Sequence, residues 1–324
     1  MKPNGCVVHV LVCVLTLAVS PARAQDYPSR TISIVVPYAA GGPTDVSARL
    51  LAEQMSKSLG ATIVIDNKPS AGGIVAATTV AKAGKDGYTL LLANATITIT
   101  NPTLSQNLPY KVADFAPIAL YAKLAYVING APTLPVKSVA ELVAWAKQKP
   151  DGLVVATVGT GTQSHILAEW MGRRLGFKVS LVPYKGVSQA TADLVAGRVD
   201  VLTDGIPTAV TTHMGGKTRI VVSLGQERSI LPDGVPTFKE AGYPDLYAYA
   251  EYGLMAPAGT PDPVIRKLYS AVATAMSSPV LLEKLRPRGE VPALSASPEA
   301  YDEYIRRETV RWAEIIKPMN LKLE

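Results

Sequence analysis

The sequence predicts an α/β fold on a mostly parallel sheet that is split into two parts, one of them discontinuous. Three observations lead there. Strand-like apolar runs alternate with helix-like amphipathic ones, polar glycine-bearing loops recur at the strand ends, and only two apolar stretches, residues 118–128 and 247–255, are placed to cross between halves. Composition agrees: 48% hydrophobic and 18% charged is globular, and 25 glycines with 25 prolines in 324 residues suit short loops while excluding collagen and low-complexity chains. The length corresponds to about two domains, enough to bury an aliphatic core in each without disulfides or structural metals.

In chain order, residues 32–36 read as a strand and 46–59 as a helix, with Leu51, Met55 and Leu59 four apart on one face. Residues 63–65 are a second strand, 74–82 a helix-like run and 90–93 a third strand, which is the βαβ rhythm of a parallel sheet. The rhythm resumes after residue 130. Ser138-Val139-Ala140-Glu141 is a capping box that opens a helix to about Lys147. Residues 153–158 are a strand, 164–175 a helix closed by Gly176, and 179–182, 199–202 and 220–224 further strands. In the tail, Asp262-Pro263 starts a helix with Leu268, Val272 and Met276 on one face, and Ser297-Pro298 starts another that runs past Trp312.

The first 24 residues read as an export signal. Lys2 supplies the positive start, residues 6–19 form an apolar run too short to span about 20 residues of hydrocarbon, and Ala22-Arg23-Ala24 is a small-x-small cleavage site. Cleavage near Ala24 leaves Gln25 at the N-terminus and removes both cysteines, Cys6 and Cys13. The signal holds two of the 32 basic residues and none of the 26 acidic ones, so the net charge falls from +6 to +4. The bases occur singly or in pairs, such as Arg173-Arg174 and Arg306-Arg307, rather than in the stripes that track a phosphate backbone, which argues against nucleic acid as a partner.

Three loops carry chemistry. Tyr38-Ala39-Ala40-Gly41-Gly42-Pro43-Thr44-Asp45 links a strand to a helix start, where glycines admit close approach and free N–H groups attract an anion; alternatively it is a tight turn with Thr44 or Asp45 as N-cap. Asn67-Lys68-Pro69-Ser70-Ala71-Gly72-Gly73 and Gly159-Thr160-Gly161-Thr162-Gln163-Ser164-His165 repeat the pattern, and such loops at strand carboxyl ends face one crevice. Catalytic readings fare worse. Ser164 stands where a dinucleotide fingerprint needs its third glycine, and no phosphate loop or G-x-S-x-G elbow occurs, so no cofactor is expected. Ser164 and His165 are adjacent, about 100° apart on a helix, which suits no nucleophile and base. His165 is a hydrogen-bond donor at a helix start or a structural histidine, and His165 and His213 have no metal-ligand spacing. Asp204 either accepts from a ligand amine or hydroxyl or caps a turn.

At these loops, and at Asp86-Gly87-Tyr88-Thr89-Leu90-Leu91, Val182-Pro183-Tyr184-Lys185-Gly186, Val235-Pro236-Thr237-Phe238-Lys239-Glu240-Ala241-Gly242 and Ala256-Pro257-Ala258-Gly259-Thr260-Pro261, the sequence resembles the Bug family, the extracytoplasmic receptors of tripartite tricarboxylate transporters. The resemblance implies a two-lobed periplasmic binding protein fold of type II with a hinge of two crossing strands: residues 25–125 and 250–324 in one lobe, 126–249 in the other. It further implies a small mono- or dicarboxylate held by Tyr38, Ala40, Gly41, Gly42 and Thr44 on one side and by Gly161, Thr162, Ser164 and His165 on the other, with Asn94, Thr96 and Asp204 on the walls. Ser70 stands where the family usually has glycine, and Glu251-Tyr252-Gly253 where it often has Trp-x-Gly, which implies a differently shaped far end of the pocket. The expectation is a monomeric periplasmic receptor that performs no reaction and delivers its ligand to a membrane permease. An exported hydrolase and a sensor component are the alternatives.

Overall fold

The computed structural model describes residues 27–105, 107–228, 231–319 and 321. The signal expected at residues 1–24 and the cleavage point before Gln25 lie outside the described residues. In the first half, β1 (Ile32–Val36), α1 (Pro43–Leu59), β2 (Ile63–Asn67), α2 (Ile74–Ala81) and β3 (Thr89–Ala93) form a parallel set with β1 between β2 and β3. Side chains alternate across the sheet. Ile32, Ile34, Val36, Leu90 and Leu92 pack on Leu51 and Met55 of α1, whereas Val35, Leu91 and Ala93 pack on Ala76, Ala77 and Val80 of α2. Burial of both faces is why β1 and β3 read as largely apolar runs, interrupted in β1 only by Ser33.

A π-helical turn, Thr96–Thr100, leads through the short α3 (Asn101–Leu104) to β4 (Phe115–Gly130). The second half follows as α4 (Val139–Lys147), β5 (Leu153–Thr157), α5 (Gln163–Leu175), β6 (Val179–Pro183), α6 (Val187–Val195), β7 (Val201–Gly205), α7 (Ile206–Met214) and β8 (Arg219–Ser223). The Ser138 hydroxyl accepts from the Glu141 N–H and caps α4 as the sequence predicts. The chain returns through β9 (Tyr249–Pro257) to α8 (Asp262–Met276), α9 (Pro279–Leu285), β10 (Glu290–Pro292) and α10 (Pro298–Ile316).

β4 is long enough to belong to both halves. Its residues 115–125 pair antiparallel with β9, and its residues 126–130 pair with β7 and β8. The strand order is β2-β1-β3-β9-β4-β7-β5-β6, with β8 and β10 also on β4. β4 and β9 are the two crossings that the apolar segments predicted.

A third connection was not predicted. Tyr301 and Ile305 near the start of α10 pack in the core of the first half, while Trp312, Ile316 and Met319 at its end join the core of the second, where Trp312 meets Trp170 edge-on at 6.1 Å. The helix therefore lies across the junction. Gly253 of β9 is required by this packing, because a Cβ there would collide with the Tyr301 ring. Gly253→Ala is expected to destabilise by about 1–3 kcal/mol through overpacking, read as a lower denaturant midpoint with an unchanged slope.

Candidate functional site

Strand direction brings the loops together. β3 is antiparallel to β9, and β9 to β4, so β1 and β3 run with β4 and end facing the second half. β7 is antiparallel to β4 and parallel to β5, so β5 and β7 end facing the first half. The carboxyl ends thus oppose one another across a crevice, which is where an open α/β sheet exposes free backbone groups. The crevice holds an inner cavity of about 220 Å³ and an outer one of about 650 Å³ that share Tyr38, Thr96, Tyr126, Val158 and Gln163.

Four helices start at the inner cavity: α1 at Pro43 and Thr44, α5 at Gln163, α6 at Val187, and α7 behind Gly205 with Pro207 and Thr208. The first N–H groups of a helix have no intrahelical acceptor, and its dipole places partial positive charge there. Neutral side chains complete the lining: Asn94, whose amide donates to the Tyr38 hydroxyl at 2.6 Å, and Tyr252, whose hydroxyl accepts from Thr44 at 3.1 Å. Asp204 is the acidic group of the inner lining, and no lysine, arginine or histidine joins it there among the described residues. Burial pushes its carboxyl up to about 7, against a smaller lowering effect of the Gly205 N–H.

The β1–α1 loop is fixed by Asp45, not capped by it. The N-cap is Gly42 and the helix begins three residues earlier than its apolar spacing suggested, which places Thr44 and Asp45 in the first turn. Asp45 Oδ2 accepts from the Gly41 N–H at 2.8 Å and from Arg49 Nε at 3.0 Å, and Oδ1 accepts from Asn67 Nδ2 at 2.9 Å. The adjoining loop packs behind it: Gly73, at φ 71°, leaves no room for a Cβ, which would lie 2.9 Å from Pro37 Cβ. Burial raises the Asp45 carboxyl, but the three donors outweigh it and the net shift is downward. A lowered carboxyl stabilises the fold above the ordinary carboxylate range, and that stability is lost as pH falls through the folded value. Asp45→Ala is expected to cost about 1–3 kcal/mol at pH 7 and progressively less below about pH 4, measured by denaturant unfolding.

The other expected residues divide into two groups. Tyr38, Thr44, Asn94, Thr96 and Asp204 line the inner cavity, and Tyr38, Thr96, Thr162 and Ser164 the outer one. Ala40, Gly41, Gly42, Gly161 and His165 line neither. His165 Nδ1 accepts from the Gly161 N–H at 3.3 Å, an acceptor role at that nitrogen that shapes the loop, and burial lowers its pKa below the ordinary value. Thr162 caps α5 by accepting from the His165 N–H, and Ser164 donates to the Thr203 carbonyl at 2.8 Å. Sequence reasoning missed Tyr126, Tyr184 and Lys185 as lining residues, and had Gln163 and Tyr252 only as members of the third loop and of the pocket's far end. A polar aromatic at Tyr126 inside an otherwise apolar crossing strand was the available signal. Of the departure Glu251-Tyr252-Gly253, Tyr252 faces the cavity with Ala250, whereas Glu251 lies on the opposite face of β9, where Tyr304 of α10 donates to it.

A separate concavity of about 490 Å³ outside the crevice is lined by Trp170, Arg173, Arg174, Tyr247, Arg311 and Met319 among others. Its arginines attract anions but are already engaged: Arg173 on the Pro318 carbonyl, Arg174 on Asp245, and Arg311 on Glu308 and the Tyr247 carbonyl.

A family model described as the tripartite tricarboxylate transporter family receptor, TctC, matches residues 47–321. The chain belongs to this receptor family. The receptor is 33% identical to protein BugT of Bordetella pertussis over 307 residues, covering 94% of both chains. It superposes on R. palustris Rpa4515, a structure with adipate, at a TM-score of 0.82 and 32% identity, covering 90% of this chain and 98% of that one. MatC from Rhodopseudomonas palustris, with bound malate, gives 0.78 and 34% over 90% of this chain and 100% of its own. The resemblance read from the loops therefore extends along the chain, and the receptor is a solute-binding protein with the two-lobed periplasmic binding protein fold.

Proposed function

We propose that the crevice captures a small organic mono- or dicarboxylate, that residues 25–125 with 250–324 and residues 126–249 act as the two lobes that close on it, except that the end of α10 packs in the second, and that the closed form is presented to a membrane permease. The observation that carries this reading is the convergence of four helix starts on one inner cavity without a basic side chain in its lining. Backbone N–H groups and neutral hydroxyls hold a carboxylate by hydrogen bonding while leaving it free to depart, which is what a delivery protein needs. Tyr38 and Thr44 from one lobe and Gln163 from the other are placed to contact the same ligand, and contacts to both lobes favour the closed state by their differential affinity. The adipate and malate in the two related structures are dicarboxylates, which supports the same class here.

Two features support a receptor that leaves its ligand unchanged. Ser164 donates to a backbone carbonyl and His165 accepts from a backbone N–H, so the two do not form a nucleophile and its base. Export to the periplasm follows from the signal-like residues 1–24 together with the family. The test is a thermal-shift and calorimetric screen of mono- and dicarboxylates against neutral sugars and amines, with mass spectrometry of the recovered ligand. A carboxylate at 100 times its dissociation constant is expected to stabilise by about 2.7 kcal/mol and to be recovered intact. A shift with sugars or amines alone overturns the ligand class, and conversion lost in His165→Ala would make the protein an enzyme.

A further inference from the structure

The inner cavity contains a polar atom that the folded chain leaves unsatisfied. Asp204 sits at the end of β7, just before α7, and is 3% exposed. Its Oδ1 accepts from the Gly205 N–H at 2.8 Å, whereas Oδ2 has no hydrogen-bond partner among the described residues. The preceding Thr203, whose side chain alternates to the other face of β7, does not supply that partner. Buried polar atoms are nearly always paired, and an unpaired carboxylate is the costliest exception. An unpaired buried carboxylate oxygen in a cavity wall marks where the chain expects a ligand to supply the missing partner.

We infer that Asp204 reads a hydroxyl or amine carried on the carbon skeleton of the ligand, so that substituted dicarboxylates are selected over unsubstituted ones of the same length. The inference rests on the carboxylate reading above. Helix starts receive the ligand's carboxylate, but an ionised Asp204 repels a second one and has no internal counter-ion, so it demands a donor. A proton on Asp204 reverses this, since the neutral acid donates to a second carboxylate. The preference should therefore depend on pH.

The groups around Asp204 leave it as the one that switches. Tyr38 from the β1–α1 loop, Tyr126 from β4 and Tyr252 from β9 face the cavity, and burial raises Tyr126 and Tyr252 far above the neutral range. From α5 comes the uncharged Gln163, while His165, which burial lowers below its ordinary value, lies outside the lining; α6 and α7 contribute Val187, Pro207 and Thr208. Lys185 belongs to the outer cavity. Glu251, whose carboxyl burial also pushes up to about 7, lies behind β9 and serves as a control.

Calorimetry of the mature protein with succinate, malate and aspartate, and with adipate, 2-hydroxyadipate and 2-aminoadipate, tests this at pH about 8.5 and about 5.5, on either side of the Asp204 transition. The expected result is a preference of about ten-fold or more for a substituted acid over its parent at the higher pH, shrinking at the lower. Hydroxy against amino acids identifies the donor. Asp204→Asn should level the series at both pH values, which also removes the ligand's own protonation from the comparison, while Glu251→Gln should preserve the wild-type pattern. Carbon-13 titration of aspartate-labelled wild-type protein gives a second readout: the Asp204 transition should move down with a substituted ligand and up with its parent. Equal affinities in the wild type, an unchanged preference in Asp204→Asn, or an unmoved Asp204 transition overturns the inference. No binding by any of the six acids overturns this inference, while the carboxylate reading itself is decided by the wider panel of mono- and dicarboxylates against sugars and amines.

Discussion

Asp204→Asn is expected to make the ligand-free receptor more stable at pH 8, by a margin that disappears near pH 4. The Asp204 carboxyl is buried with one oxygen unpaired, and burial raises it from the ordinary 3.8 to about 7. Between those values the folded chain keeps a proton that the unfolded chain has lost, so stability falls as pH rises through this window and stays low above it. Asparagine keeps the acceptor for the Gly205 N–H and never ionises. At about 1.4 kcal/mol per pKa unit the gain is on the order of 4 kcal/mol above pH 7, read from thermal or denaturant unfolding at a series of pH values. Glu251, raised to about 7 by burial, adds a fall of the same sign that the substitution leaves in place. Equal stability of the two proteins at pH 8 would show that Asp204 is solvated or paired, and would remove the premise for its selecting a ligand. A residue that weakens the empty fold and strengthens the occupied one is the usual trade between stability and function.

Trp312→Ala is expected to cost about 3–5 kcal/mol, the range for truncating a buried tryptophan. Trp312 is 1% exposed and carries the end of α10 into the core of the second lobe against Trp170, with Ile316 and Met319 following it. Because the start of the same helix belongs to the first lobe, the loss should be accompanied by freer lobe motion, seen as a larger radius of gyration of the ligand-free protein by scattering. A cost below about 1 kcal/mol, within the range of surface substitutions, would mean that α10 does not fasten the lobes.

The parts of this architecture that were legible in the sequence share a physical cause. Strands buried on both faces must be largely apolar, so residues 32–36 and 90–93 stood out, and helices with a side-chain signal at their ends, Ser138 with Glu141 and Ser297 with Pro298, could be started correctly. α6 and α7 were not legible. Their caps are Gly186 and Gly205, which give no side-chain signature, and α7 carries the β-branched Ile206, Thr208, Val210, Thr211 and Thr212, which read equally well as strand. β10 is three residues long and exists because β4 offers it an edge, a tertiary fact with no local pattern. At the site, the loop glycines announced a crevice, but the loop's order comes from Asp45 reaching Gly41 and Asn67, a contact between segments that spacing does not encode. His165 drew attention as a rare residue in a glycine loop, and its nitrogen turned out to serve the loop's own backbone. Tyr126 lines both cavities yet lies within a strand rather than in a loop, which is why loop chemistry did not find it.

The most direct measurement is a crystal structure of the mature protein with the dicarboxylate that gives the largest thermal shift. The ligand is expected in the crevice, with one carboxylate within hydrogen-bond distance of the first turns of α1 and α5 and its skeleton running toward Asp204 Oδ2. Electron density instead in the separate concavity between Trp170 and Met319, against Arg173, Arg174 and Arg311, with an empty crevice, would contradict it.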